Sequence, residues 1–507
     1  MDYFWEKTKN MRCLFKLLLL LLTSGFGHLM AQKLNKMPEN NISIKEVEAH
    51  LRFLASNEMQ GRRTGEITEN IAARYIAEEF RLNGIKPIGE NGDFLQAVPL
   101  EITKPSKSGV ITAGEDKLEW GKDFIALSGK NLKLENAEVV YVGYGWIDEN
   151  HNDYKNVDVK GKIVLCQFGI PENNQPFQNI TGSAKKIKFA AENGALALIQ
   201  IYNINFPFAN ITRNYGNERL SAKPDFNAEI PHIWVNSNYS KWISDKPLKN
   251  ISLDITEVSK KNVNAYNVVG VIEGTDPKLK NEYIVLSAHF DHIGMGKKYG
   301  KITESDSVFN GTRDNATGTT AILMAAKALS QQKTKRSILL LGYTGEELGM
   351  IGSRYYAEHP LLPLKQCVFN LNSDGAGYND STKVTIIGLH RTTAENEIIT
   401  GSKALGLVAI DDPVPEQNLF DRSDNVSLAA KGIPAPNYSP GLTAFDAEIG
   451  KFYHQAADNP ENVSMSYISR FCKAFIYSAR LIANKAETPI WKAGDKYEAA
   501  SKKLYGQ

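Results

Sequence analysis

The chain has 507 residues, of which 42% are hydrophobic and 23% charged. This balance is ordinary for a soluble globular protein, and the length allows more than one compact domain. The formal net charge of +2 lacks the basic excess of nucleic-acid-binding proteins, so we expect no nucleic-acid partner.

The first 31 residues differ from the rest of the chain. Four basic residues precede an apolar run, Leu17–Leu22, and small or neutral residues follow as far as Ala31. This order is typical of a secretory signal, and the apolar run is shorter than a membrane span requires. A start at Met11 would leave a more conventional signal, and an uncleaved membrane anchor is the alternative. We expect residues 1–31 to be a signal peptide and the mature protein to be exported, periplasmic or extracellular, without stable membrane association.

The four cysteines do not have metal-binding spacing. Cys13 would leave with the signal, and Cys166, Cys367 and Cys472 are widely separated in apolar surroundings. Neither a CxxC pair nor a Cys/His zinc pattern occurs. We therefore interpret the three remaining cysteines mostly as small buried apolar residues, with a single disulfide as the alternative.

The pattern that follows the signal predicts helices. Ser43–Ser56 and Thr68–Leu82 carry apolar residues at helical spacing, and Asn83-Gly84 is a stop signal. The loop Gly61–Gly65 joins the two helices, and Phe94–Ile102 predicts a strand. Residues 32–103 are assigned to the N-terminal part of the main domain.

Residues 104–262 have a different character, with short strands and turns. Glu138–Tyr144, Gly161–Gln167 and Ala195–Tyr202 predict strands, and Lys185–Gly194 predicts a short helix. This segment is predicted to be an α/β insert.

From Val263 on, strand–helix alternation returns. Three continuous apolar runs predict interior strands covered on both faces: Tyr283–Ala288, Ser337–Gly342 and Cys367–Leu371. The predicted helices are Ala316–Gln331, Leu348–His359 and the closing Met465–Lys485. This alternation predicts an α/β fold with a doubly wound sheet. Residues 263–486 form the main part of that domain, and the polar residues 487–507 form a peripheral C-terminal tail.

Each of the three interior strands leads to acidic or histidine residues. The first is followed by His289 and Asp291, the second by Glu346 and Glu347, and the third by Asp374. Open α/β sheets bind ligands at the carboxyl ends of their strands. Two further candidates are Asp314, before a helix, and His454. Histidines mixed with carboxylates suit zinc or a similar divalent ion.

The spacing of these acidic and histidine residues suits a metal centre. His289 and Asp291 are two residues apart, so on a strand they face the same side, and the carboxylate can fix the imidazole tautomer. Asp314 could give one oxygen to each of two metals, and Glu346 and Glu347 could serve as base and ligand. A metal pair about 4 Å apart lowers the pKa of a shared water. Each motif alone has an ordinary structural explanation; their combination predicts a metal centre.

These motifs resemble metallopeptidase family twenty-eight, which includes bacterial aminopeptidases and glutamate carboxypeptidases. The stretches that carry the resemblance are Ser287–Gly294, Asn310–Gly318, Thr344–Gly349, Asn372–Asp374 and Tyr453–Asp458, together with Leu51–Gly65 near the N-terminus. The resemblance implies a fold of the zinc-exopeptidase type, with a mixed sheet. The insert resembles a protease-associated domain, which would either shape access to the cleft or act as a spacer.

The resemblance also implies residue roles and two Zn²⁺ ions. One ion would be bound by His289, Asp314 and Asp374, and the other by Asp314, Glu347 and His454. Glu346 would be the general base, Asp291 would orient His289, and Tyr453 would polarise the scissile carbonyl. The family often has a cis peptide bond after the bridging acid, so Asp314–Asn315 is a candidate.

Two departures from the family pattern concern the pocket rather than the ligands. Many relatives have Ser-Asp-His where this chain has Ser423-Asp424-Asn425. The third strand ends in NLNSDGAG rather than Asn-x-Asp-Met, which places Gly375 and Ala376 near the site and leaves more room there.

Three functions are compared. The first is an exported aminopeptidase that acts on peptides or small proteins. The second is a carboxypeptidase or dipeptidase on the same metal centre, for which Arg313, Arg354, Arg391 and Arg422 are possible carboxylate donors; a single-zinc glutaminyl cyclase is less favoured. The third is a non-catalytic binding module, which the complete ligand set and Glu346 argue against. The sequence assigns no oligomeric state.

Overall fold

The structure is a computed structural model that describes residues 38–172, 176–204, 207–224, 226, 229–244, 248–256, 258–296, 302 and 306–506. The predicted signal peptide lies outside these residues. Within the described ranges, no helix combines the length and the apolar character needed to cross a membrane.

The helices and strands are named in chain order. The helices are α1 Ile44–Leu54, α2 Ile67–Leu82, α3 Pro176–Glu192, α4 Phe208–Tyr215, α5 Thr317–Gln331, α6 Ile351–Glu358, α7 Glu395–Ala404, α8 Asn425–Ala429, α9 Ala447–Phe452, α10 Met465–Asn484 and α11 Glu498–Tyr505. The strands are β1 Lys86–Pro87, β2 Leu95–Lys104, β3 Gly109–Ala113, β4 Asp116–Leu118, β5 Phe124–Ser128, β6 Leu132–Tyr141, β7 Ile163–Gln167, β8 Ala197–Tyr202, β9 Arg219–Ala222, β10 His232–Asn236, β11 Asn250–Ile255, β12 Ser259–Ile272, β13 Tyr283–His289, β14 Gly294–Met295, β15 Val308–Phe309, β16 Ser337–Tyr343, β17 Cys367–Asn372, β18 Lys383–Ile387, β19 Val408–Ile410 and β20 Asn437–Pro440.

The chain divides into two compact units. The described residues up to Val98 and from Ala265 onward form the first unit, and Pro99–Asn264 form the second. Strands β2 and β12 carry the chain from one unit to the other.

The first unit contains a mixed sheet, whose strand order is β19-β18-β20-β17-β13-β16-β12. Strand β13 lies at the centre and is parallel to both β16 and β17, whereas β12 and β16 are antiparallel. The predicted α/β class with a mixed sheet is confirmed.

Alternate residues of the central strands enter cores on opposite faces of the sheet. Ile284 and Leu286 of β13 belong to the core that includes buried residues of α1, α2, α5 and α10. Val285 and Leu339 belong to the other core, which includes Tyr356 of α6. Apolar side chains pointing both ways explain why these strands appear as continuous hydrophobic runs in the sequence. Helices on both faces make the sheet doubly wound.

The second unit has its own mixed sheet, ordered β4-β3-β11-β6-β7-β8-β10-β5. Strands β6, β7, β8 and β10 are parallel to one another in that order. One face of this sheet is covered by a core that includes Trp242. Helix α3 extends over Pro176–Glu192 and is longer than the predicted Lys185–Gly194. The prediction missed its N-terminal half because the sequence there is polar and lacks a clear helical period.

Helices lie near both ends of the described part of the first unit. Ser43 and Glu46 form a capping box that starts α1, which satisfies two backbone donors at the helix end. The C-terminal segment differs from the predicted peripheral tail: Trp491 is buried, and the segment ends in α11. Its mainly polar composition concealed the apolar side chains that pack into the unit, among them Trp491 and Leu504.

The three cysteines of the described chain are free and buried. Cys166 lies in β7 of the second unit, whereas Cys367 and Cys472 lie in β17 and α10 of the first. Burial raises the pKa of all three thiols. They are core residues, as the sequence predicted, and the alternative of a disulfide is wrong.

Candidate active site

The register of the parallel strands brings the predicted site residues to one edge of the sheet. His289 at the end of β13 pairs with Tyr343 at the end of β16, and Ser287 pairs with Asn372 at the end of β17. The turns after these strands carry Asp291, Glu346, Glu347 and Asp374. This edge is where open α/β sheets form their ligand sites.

The first cluster of potential metal ligands is formed by His289, Asp314 and Asp374. Nε2 of His289 lies 3.1 Å from Oδ1 of Asp374 and 3.3 Å from Oδ1 of Asp314. Asp314 is supplied by the turn Thr312–Ala316 that precedes α5, and the Asp314–Asn315 peptide bond is cis. The resemblance had implied this cis bond.

The second cluster shares Asp314 with the first. Nε2 of His454 lies 3.2 Å from Oδ2 of Asp314 and 3.2 Å from Oε2 of Glu347. His454 follows α9 and has a positive φ of 53°. The two oxygens of Asp314 therefore face two different histidines, as a bridging carboxylate requires.

The donor separations can be compared with metal geometry. Around a tetrahedral ion with bonds of about 2.0–2.1 Å, two ligand atoms lie about 3.3 Å apart. The four imidazole–carboxylate separations of the two clusters lie between 3.1 and 3.3 Å. The nitrogen and oxygen donors are also the types that zinc accepts. The residues present therefore fit two metal ions that share Asp314.

His292 also lies among the carboxylates, since it forms a possible ligand group with Asp314 and Glu347. Its Nδ1 is only 2.7 Å from Oε1 of Glu347, which is a hydrogen-bond distance and shorter than the separation of two ligands on one ion. His454 has the appropriate separation from both acids. His454 therefore has the spacing expected of a metal ligand, whereas His292 lies at hydrogen-bond distance from Glu347.

Asp291 is fully buried and connects two elements of the site. Its Oδ1 lies 3.5 Å from Nδ1 of His289, and its carboxylate accepts hydrogen bonds from the backbone N–H groups of Glu346 and Glu347, at 3.1 and 3.3 Å. The hydroxyl of Thr64 donates a further bond of 2.9 Å to it. Asp291 thus holds the turn after β16 against the end of β13.

Glu346 and Tyr453 face the same cavity as the two clusters. Asp314, Asp374 and His454 of the two clusters line this cavity as well. Burial and the nearby Asp374 and Glu347 raise the pKa of Glu346 well above its usual value, despite the opposing charge of His289. Burial also raises the pKa of Tyr453, so its phenol keeps its proton at neutral pH.

Part of the cavity lining is apolar. Ala376, Ile387, Leu419, Leu442 and Phe445 form this part. Gly375 lies beside them, and a Cβ atom at this position would come within 2.9 Å of the Ser439 hydroxyl. The glycine is therefore needed for close packing against Ser439, and the extra room that the sequence suggests at Gly375 and Ala376 stays a prediction.

Asn425 occupies the position where many relatives have a histidine. Its side-chain amide is buried and donates hydrogen bonds of 3.2 Å to the backbone carbonyls of Phe420 and Ala435. In this chain the residue therefore stabilises the loop before α8 rather than contributing a titratable group to the site.

Sequence reasoning missed the role of Arg62. This fully buried side chain donates hydrogen bonds to the backbone carbonyls of Phe290, Asn310 and Gly311. Burial lowers the pKa of Arg62 to about 10, against the opposing effect of nearby carboxylates such as Asp291. Its cation compensates part of the negative charge of the cluster. The only sequence signal was an arginine pair in a glycine-flanked loop.

Sequence reasoning also missed a buried ion pair that fixes the loop of Asp314. Nη1 of Arg313 lies 3.0 Å from Oδ1 of Asp458, and the Arg313 backbone N–H donates a 2.8 Å bond to Oδ2. The guanidinium also lies 3.6 Å from the centroid of the Phe452 ring, a cation–π contact. Asp458 ends the Tyr453–Asp458 motif, so this motif supplies both His454 and the residue that holds the loop of Asp314.

Comparison with known proteins matches both units to families. Residues 267–479 match the model of peptidase family M28, and residues 135–238 match that of the PA domain. The resemblance to peptidase family M28 and to the PA domain that the sequence motifs indicate is confirmed by these two matches.

Individual relatives are distant. A probable leucine aminopeptidase 2 from Aspergillus oryzae is 28% identical over 369 residues, which cover 66% of this chain and 64% of the relative. Aminopeptidase YwaD from Bacillus subtilis is 23% identical over 335 residues, which cover 65% of each chain. The chain thus spans slightly less than two thirds of the length of these relatives.

The fold also matches a solved structure. An aminopeptidase from Aneurinibacillus sp. strain AM-1 aligns with a TM-score of 0.51 and 20% identity, over 89% of this chain and 96% of the other. At this identity the match shows a shared fold, and the fold of the zinc-exopeptidase type is confirmed.

Proposed function

We propose that this protein is an exported aminopeptidase that binds two zinc ions and removes residues from the N-termini of peptides. The observation that carries the proposal is the position of Asp314, whose two carboxylate oxygens face His289 and His454 at 3.3 and 3.2 Å. The aminopeptidase relatives and the M28 match support the reaction class.

Each ion has its own ligand set in this proposal. His289, Asp314 and Asp374 would hold one ion, and Asp314, Glu347 and His454 would hold the other. When bound, the pair would supply Lewis acidity for the attacking water and the scissile carbonyl. Asp291 orients His289, and His292 orients Glu347. Such outer hydrogen bonds fix ligand geometry.

Glu346 moves the proton in this mechanism. Its carboxylate accepts a proton from the attacking water and transfers it to the leaving amine. The raised pKa of Glu346, caused by burial and by neighbouring acids, makes its carboxylate a stronger base and favours the first of these steps. Tyr453 lines the same cavity and donates its O–H to the substrate carbonyl oxygen, because its raised pKa keeps it protonated.

The carboxylates support the preference for a free amino terminus. Asp291, Asp314, Glu346, Glu347 and Asp374 together offset the positive charge of two divalent ions. A substrate ammonium group therefore meets little repulsion there.

The test uses purified protein and a matched peptide pair. Release of the first amino acid from an unblocked peptide, lost when the amino terminus is acetylated, supports the proposal. Equal cleavage of both peptides would contradict it and favour the carboxypeptidase or dipeptidase alternative. Metal analysis should give two zinc ions per chain. Export is tested by finding the mature protein, with its N-terminus near residue 32, in the periplasm or medium.

A further inference from the structure

Arg422 stands out among the residues of the active-site cavity. It ends the short helical turn Leu419–Arg422 and lines the cavity together with Glu346, Tyr453 and His454. Its side chain is exposed. Within the described residues it forms no ion pair and no hydrogen bond.

The other arginines near this region are engaged. Arg313 is paired with Asp458, and Arg391 forms a two-pronged pair with Asp495 at 2.7 and 3.0 Å. The acid next to Arg422, Asp421, is occupied by Lys496 and by the hydroxyl of Tyr497. The fold therefore supplies carboxylate partners to the structural arginines and leaves the cavity arginine without one.

A free guanidinium beside a cluster of acids has a specific chemical use. It presents a planar set of donors that matches a carboxylate in two parallel hydrogen bonds. The metal-binding edge of the cavity is anionic and suits the substrate ammonium, whereas the apolar wall of Ile387, Leu419 and Leu442 offers no charge. Among the lining residues that the structure describes, Arg422 is the one cation outside the metal-binding set. A substrate that carries an ammonium and a carboxylate can thus pair with both the acids and Arg422 in one cavity.

We propose that Arg422 binds a carboxylate of the peptide substrate, so that the enzyme prefers short peptides that carry an acid directly beyond the cleaved bond. This inference rests on the proposed aminopeptidase function. The carboxylate is either the free C-terminus of a dipeptide or the acidic side chain of the residue after the cleaved bond. Both sources offer the same ligand chemistry to the guanidinium.

The experiment measures kcat/KM for two pairs of substrates. Leucyl-alanine is compared with its C-terminal amide, and leucyl-glutamate amide is compared with leucyl-glutamine amide. A hydrogen-bonded charge contributes enough to change affinity about tenfold or more, so we expect at least one acid-bearing member to exceed its neutral partner by about tenfold, mainly through a lower KM. The pair that shows the preference identifies the source of the carboxylate.

Variants then assign the preference to Arg422. We expect R422Q to bring the ratio of that pair close to one. The control, R470Q, removes a partly exposed arginine of α10 that does not line the cavity and should keep the wild-type ratio. A partial preference in R422K would indicate that charge matters in addition to the planar geometry.

The outcomes separate this inference from the proposed function. Leucyl-p-nitroanilide has no carboxylate, so its cleavage by the wild-type protein tests aminopeptidase activity alone. If the anilide is cleaved and both ratios are near one in the wild-type protein, the role of Arg422 is refuted. A preference that persists in R422Q also refutes it. If the wild-type protein cleaves none of the free-amino substrates, the proposed function itself fails.

Discussion

Oδ1 of Asp291 lies 3.1 Å from the backbone nitrogen of Glu346, so the residue that orients His289 also positions the proposed base. The end of β13 and the turn after β16 are therefore held by a single carboxylate. A change at Asp291 would disturb a metal ligand and the proton-transfer residue together. Substitutions at Glu346 and at the individual ligands separate proton transfer from metal binding better than a substitution at Asp291 does.

Replacement of Glu346 by glutamine is expected to reduce kcat by about 10²–10⁴-fold, because the amide cannot accept the proton of the attacking water. Glu346 belongs to neither ligand cluster, so the zinc content should remain that of the wild-type protein. Steady-state kinetics and metal analysis on the same sample check both points. E358Q, an exposed change on α6, is the control. Undiminished kcat in E346Q would refute Glu346 as the base.

Substitution of the two neighbouring histidines distinguishes the metal ligand from its supporting residue. H454A should lose tight binding of one zinc equivalent, because a direct ligand is removed. H292A should keep both equivalents and bind one of them about 10–100-fold more weakly, as found when an outer hydrogen bond to a ligand is removed. Zinc titration of the metal-free protein against a competing chelator measures this. Loss of one equivalent in H292A with retention in H454A would reverse the assignment.

The buried pair of Arg313 and Asp458 should matter for stability. D458N leaves the Arg313 guanidinium buried without a counter-charge, which should lower the free energy of unfolding by about 3–5 kcal/mol. The control is E461Q, which removes the exposed partner of Arg52 and should cost less than about 1 kcal/mol. Urea unfolding of both variants gives the comparison. Equal small losses would show that the buried pair is dispensable.

Glu69 should make stability depend on pH. Burial raises its pKa to about 8, so the folded protein binds a proton that the unfolded chain releases at a pH near 4.5. The free energy of unfolding should therefore fall as the pH rises from about 5 to about 8. E69Q stays neutral and can still accept the hydrogen bond from Thr344, so its stability relative to wild type should increase over this range.

Urea midpoints of wild type, E69Q and E78Q at several pH values check this prediction. Glu78 lies on the same helix but is exposed, so E78Q should follow the wild-type pH dependence. A constant difference between E69Q and the wild type from pH 5 to pH 8 would show that Glu69 is not protonated in the fold.

Much of the first unit could be predicted from local sequence. The runs Tyr283–Ala288 and Ser337–Gly342 are apolar throughout because both faces of these strands are covered, and their ends were predicted to within one residue. Since parallel strands end at the same edge, the position of His289 and Glu346 followed from these two runs.

Contacts between distant segments could not be predicted in this way. Arg62 binds carbonyl groups more than 220 residues away along the chain, and no periodicity encodes such a contact. Asp458 was included in a motif, but its pairing with Arg313 depends on two loops meeting. His292 lies within the Ser287–Gly294 motif, but the motif alone assigns it no role. Its role follows only from the 2.7 Å contact with Glu347.

The buried free cysteines give each unit a built-in reporter. A thiol reagent can reach Cys166 only when the second unit opens, and Cys367 or Cys472 only when the first does, since all three are enclosed. Mass spectrometry of the alkylated peptides over time would therefore resolve the opening of the two units within one unmodified protein. Added zinc should protect Cys367 and Cys472 more than Cys166, because the proposed ligands all belong to the first unit.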